Sequence, residues 1–163
     1  VVFLDHGARL ASAGWDETVR IWDVETGREE RTLSGARLQN LTSLAVSPDG
    51  NLLAAAGYGK VVTLWDTRTW EVARSLWGHA SGIEDLVFSP DGRTAYVTSR
   101  LSDSVVVIDV ATRRVVRTLP VADEPHGIAV DPAGKTLFVM GTAFDAVSVV
   151  DVVTGKEKDI MQV

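Results

Sequence analysis

Four turn strings, Leu4-Asp5-His6-Gly7, Ser47-Pro48-Asp49-Gly50, Ser89-Pro90-Asp91-Gly92 and Asp131-Pro132-Ala133-Gly134, punctuate the 163 residues, and their closing glycines lie 43, 42 and 42 positions apart. A second marker keeps the same step: Asp23, Asp66, Asp109 and Asp151 each close an apolar run and recur at 43, 43 and 42 residues. A chain made of one unit repeated four times folds as an array, each copy presenting to its neighbours what they present to it.

Within each copy, short apolar segments rich in β-branched residues are broken by Gly, Pro, Asp and Asn, and no 3.6-residue stripe persists. These segments read as strands. Inner strands are expected near 41–47, 83–89 and 126–131, with 1–4 a shortened equivalent. Second strands are expected at 9–13, 52–56, 94–99 and 136–141, and third strands at 19–23, 61–66, 105–109 and 147–151. Each third strand then turns into a polar outer strand, where a charge run such as Arg28-Glu29-Glu30-Arg31 is a solvated edge. One four-stranded antiparallel sheet cannot cover both of its faces, so neighbouring sheets must stack around an axis. The expected fold is all-β: a β-propeller of four four-stranded antiparallel blades, as a partial ring, with blades over 1–35, 36–79, 80–123 and 124–163.

The first two copies resemble the WD-repeat family. Ile21-Trp22-Asp23 and Leu64-Trp65-Asp66 end third strands, and Gly78-His79 precedes the third inner strand. The last two copies resemble YVTN-type propeller repeats through Ala95-Tyr96-Val97-Thr98-Ser99, Val107-Ile108-Asp109, Pro125-His126-Gly127-Ile128-Ala129-Val130 and Val149-Val150-Asp151. Ile108 and Val150 stand where a WD repeat would carry Trp. The WD resemblance implies a hydrogen-bond network of a second-strand Ser, a turn Asp, the third-strand Trp and a His, which satisfies a buried indole N–H while fixing side-chain positions. Ser12, Asp16 and Trp22 fit it in the first copy. In the second, Gly59 replaces the Asp beside Trp65, and in the third His79, Ser99 and Asp103 are present without a Trp.

The same resemblance implies an upper face that points residues just before the turn Asp toward partners, here Trp15, Tyr58 and Phe144. Trp77 lies in an outer-to-inner loop of that face, and Thr42, Glu84 and His126 begin inner strands there. Large aromatics on turns either anchor partners or pack on the next blade. A partner-binding patch made of Trp15, Tyr58, Trp77, Glu84, His126 and Phe144 is the expectation.

Composition narrows the chemistry. A net charge of -6 offers no general footprint for nucleic acid or an anionic membrane, and the absence of Cys removes disulfides, thiol nucleophiles and cysteine metal sites. No apolar stretch approaches the length of a membrane-spanning helix. There is no GxSxG elbow, Gly134-Lys135-Thr136 has Ala129 where a phosphate loop needs Gly, and His6, His79 and His126 lack paired ligand spacing. No catalytic residue, cofactor or metal is therefore expected. The expected function is a non-catalytic protein–protein interaction scaffold, cytoplasmic, and a fragment of a larger regulatory or signalling protein. The alternative is part of a YVTN-type periplasmic propeller or oxidoreductase-associated subunit, with Pro125-His126-Gly127 its best feature. Four blades leave two apolar end faces. Further blades of a parent chain, a homodimer completing eight blades, or closure of four blades alone would cover them, and the start at Val1, inside a strand, favours the first.

Overall fold

The computed structural model describes residues 1–34, 38–77, 79, 81–121, 124–141 and 146–162. Among the described residues, sixteen strands form four antiparallel sheets, each in simple chain order. The first holds β1 (Val2–Leu4), β2 (Arg9–Ala13), β3 (Val19–Asp23) and β4 (Glu29–Leu33). The second holds β5 (Leu41–Val46), β6 (Leu52–Gly57), β7 (Val62–Asp66) and β8 (Val72–Leu76). The third is β9 (Ile83–Phe88), β10 (Thr94–Ser99), β11 (Ser104–Asp109) and β12 (Arg114–Pro120). The fourth is β13 (Pro125–Val130), β14 (Thr136–Gly141), β15 (Ala146–Asp151) and β16 (Glu157–Gln162).

The repeated turn strings close the first hairpin of a blade. Ser47 Oγ donates to Asp49 Oδ1 at 2.6 Å and accepts the Leu52 N–H at 2.9 Å, and Ser89, Asp91 and Thr94 repeat the arrangement at 2.6 and 3.0 Å. Gly50, Gly92 and Gly134 supply the left-handed backbone these turns need, at φ 72°, 69° and 68°. Because the serine closes the turn, β5 and β9 stop one residue short of the expected strands. Asp23, Asp66, Asp109 and Asp151 head the other recurring turn: Thr26, Thr69, Thr112 and Thr154 each donate a backbone N–H to the preceding Asp Oδ1, at 2.7, 3.2, 2.6 and 2.7 Å.

Every outer strand is bulged at the same place. Glu30, Ala73, Val116 and Lys158 are each skipped in pairing with the third strand, so the repeat is visible in backbone register as well as in sequence.

Strand alternation sends one row of side chains forward and one back. Ile21, Leu64 and Val107 face the following sheet; Trp65, Ile108 and Val150 face the preceding one. Three apolar cores result. Ile21 and Val19 meet Leu53 and Trp65, Leu64 and Val62 meet Val97 and Ile108, and Val105 and Val107 meet Leu137 and Val150. Trp65 is 1% exposed, whereas Trp22, its equivalent in the first sheet, is only half-buried, because no described sheet precedes the first. Phe138, Met140, Val147 and Val149 form the matching forward face of the last sheet, and Met140 is exposed.

Candidate partner-binding face

Three inner strands carry an irregularity at their upper ends. In β5 pairing passes from Leu41 to Ser43, in β9 from Ile83 to Asp85, and in β13 from Pro125 to Gly127. The skipped residues are Thr42, Glu84 and His126, 42 positions apart. A bulge leaves its residue unpaired and re-aims the side chain out of the pleat, so one position in three successive blades is turned toward the same rim. Thr42 Oγ1 donates to the Ile83 carbonyl at 2.8 Å. The Glu84 side chain is only 6% exposed and places Oε2 3.7 Å from Nε2 of His126, which is half exposed.

One residue deeper, Asp85 ties three blades together. Ser43 Oγ donates to Asp85 Oδ1 at 2.6 Å, and the Ile128 N–H donates to Asp85 Oδ2 at 3.0 Å. Ser43 Oγ also accepts the Leu86 N–H at 3.2 Å. Sequence reasoning missed Asp85; its signal was a carboxylate inside the apolar run Ile83-Glu84-Asp85-Leu86-Val87-Phe88.

Loops complete the rim. The β6–β7 turn is held from below, with the Tyr58 N–H on the Asn40 carbonyl at 3.4 Å and the Gly59 N–H on the Gln39 carbonyl at 3.3 Å. The Tyr58 ring then lies against Gly82, where an added Cβ would sit 2.9 Å from Tyr58 Cδ1. Asp103, left-handed at φ 41°, accepts the Val121 N–H on its carbonyl at 3.1 Å and the Glu124 N–H on Oδ1 at 3.0 Å, which sets Glu124 at the entrance to β13. Tyr58, Gly82, Glu84, Leu101 and Glu124 thereby line a cavity of about 320 Å³. Leu101, absent from the expected patch, is 81% exposed at its edge.

The expected residues divide. Tyr58 and Glu84 meet in this cavity and His126 touches Glu84. Trp15, 74% exposed, instead lines a depression of about 330 Å³ on the first blade with Ser12, Arg20 and Trp22. Trp77 is exposed in the β8–β9 segment and is not among the described residues lining the cavity. Phe144 lies outside the described residues.

The implied networks form only in part. The Trp22 indole donates to Ser12 Oγ at 2.8 Å. Asp16 does not complete that network: its carboxylate accepts from Thr18 Oγ1 at 3.0 Å and pairs with Arg20 at 2.7 Å, closing its own turn. In the third blade, Ser99 Oγ is hydrogen-bonded to Ser81 Oγ at 2.6 Å and Asp103 is committed to Glu124. His79 is buried with neither ring nitrogen hydrogen-bonded, and that burial pushes its imidazole below the ordinary 6.5.

The geometry agrees with comparisons to known proteins. A family model described as YNCE-like beta-propeller matches residues 51–135, just over half of the chain, and one described as WD domain, G-beta repeat matches residues 1–23 and 27–66. Coronin-7 of Mus musculus is 56% identical over 41 residues, 25% of this chain and 4% of that protein. The ribosome biogenesis protein WDR12 homolog of Nematostella vectensis is 42% identical over 38 residues, 23% of this chain and 9% of that protein. The matched stretches thus span less than a tenth of either relative. These likenesses support a propeller protein-interaction module. Four successive four-stranded sheets, with a family match across more than half the sequence, place this chain in the YNCE-like β-propeller family, with WD repeats in its first two blades.

Proposed function

We propose that the chain is a protein-interaction scaffold whose partner docks on the upper rim around Tyr58, Glu84, Leu101 and His126. It works within a larger regulatory or signalling assembly, where further blades cover its two end sheets. One observation carries the docking surface: the inner-strand bulge recurs at Thr42, Glu84 and His126, three times at one place in the repeat, and spends backbone pairing to aim side chains at one rim. An exposed leucine and a half-exposed tyrosine beside a buried carboxylate have the make-up of an interface anchor with its polar counterpart.

The test is the affinity of a partner recovered with the full protein. Tyr58→Ala and Leu101→Ala are expected to weaken it about tenfold each, about 1–2 kcal/mol, while Lys158→Ala on an outer strand leaves it unchanged. Equal affinity in all three variants would overturn the assignment.

A further inference from the structure

We infer that the cavity beside Tyr58 is a receptor for an arginine side chain of a partner polypeptide; this rests on the reading of the upper rim as the docking surface and specifies what that surface recognises. Glu84 is the starting point. Its side chain is more than nine-tenths buried, lines the cavity, and receives no hydrogen bond from any described residue; His126 Nε2 stands 3.7 Å from Oε2, outside hydrogen-bonding distance. A carboxylate so enclosed gains most from a positively charged donor brought to it, because the attraction is screened less there than in open water. Among the described lining residues, Glu84 is the buried carboxylate, and none is a lysine or arginine.

The remaining walls select the shape of the cation. The Tyr58 ring, seated on Gly82, offers a flat aromatic face, and Leu101 offers an apolar edge. An arginine side chain fits all three features: its stem covers Leu101, its planar guanidinium stacks on Tyr58, and its paired N–H groups engage both oxygens of Glu84. A volume of about 320 Å³ admits one such side chain. A lysine ammonium meets the charge but neither the stacking nor the two-point geometry.

Chemical-shift titration of the isotopically labelled full protein with a capped Gly-Arg-Gly peptide tests this directly, beside the same peptide carrying lysine or the neutral isostere citrulline, and beside spermidine as a non-peptide cation. Saturable shifts at Tyr58, Gly82 and Leu101 are expected with the arginine peptide. Binding should be several-fold weaker for lysine and at least about tenfold weaker for citrulline, for spermidine and for Glu84→Gln against the arginine peptide. Citrulline binding as well as arginine, spermidine binding as well as arginine, or arginine shifts centred elsewhere would each overturn the inference. The citrulline arm uses the unaltered chain, so it decides even if Glu84→Gln does not fold. Should these arms fail while Tyr58→Ala still weakens the full partner, the arginine assignment falls and the docking surface stands.

Discussion

Single residues hold the turns of this molecule through ionised carboxylates. The Arg68 side chain bonded to Asp66, with backbone N–H groups of the same turn, holds that carboxyl at about 2 against an ordinary 3.8. Asp109 is likewise lowered, mainly by the Thr112 hydroxyl, and Asp151 mainly by Lys158. A lowered folded value means that the turn's contribution is complete above the unfolded value and is lost as pH falls through the folded one. Asp66→Asn is therefore expected to melt below the parent at pH 5, with the gap narrowing as pH falls from 3.8 through about 2, where the folded carboxyl becomes half protonated. His79 runs in the same direction at higher pH. Burial keeps its imidazole neutral, so the unfolded chain takes up a proton first and stability declines as pH drops below 6.5. Urea midpoints should fall from about pH 7.5 to about pH 5.5, and His79→Leu should flatten that slope; a slope unchanged in the variant would place the titration elsewhere.

At the scale of strands, period-two patterning and the 42–43 residue step sufficed to locate the elements, because alternating burial leaves a direct trace in residue type. β7 begins at Val62 and β13 at Pro125, each within one residue of expectation. Bulges leave no such trace. Thr42, Glu84 and His126 share no chemistry, only their spacing, and they were reached through family resemblance rather than through their own character. Leu101 gave no signal because an exposed leucine on a loop is ordinary, and the cavity it edges depends on a glycine, Gly82, whose value is the room it leaves for Tyr58. Gly82→Val should displace that ring and abolish arginine-peptide shifts while the far-ultraviolet spectrum stays that of the parent. Asp85 stabilises the packing of three strands from different blades. Asp85→Ala strands the Ile128 N–H and the Ser43 hydroxyl, and a loss of about 2–3 kcal/mol in urea unfolding is expected. A change under about 0.5 kcal/mol would mean those bonds are replaced from elsewhere.

Taken whole, the described chain is a row of four sheets with three filled apolar cores and two outward faces. Trp22 and Val149 occupy on those faces the positions that Trp65 and Val107 bury in the middle of the row. The isolated 163-residue polypeptide is accordingly expected to self-associate in light scattering, and Trp22→Lys to reduce that association; a monodisperse monomer would show that the end faces need no cover. The proposed docking surface faces a third direction, the rim at the upper ends of β5, β9 and β13. The chain contains no cysteine, so single cysteines can report on it cleanly. The most direct measurement places one at Gln39, on the upper rim, and another at Asn51, at the opposite end of β6, each carrying a short photoreactive cross-linker in the full protein bound to its partner. Adducts with the partner should form from position 39 and not from position 51; adducts from position 51 alone would contradict an upper docking face.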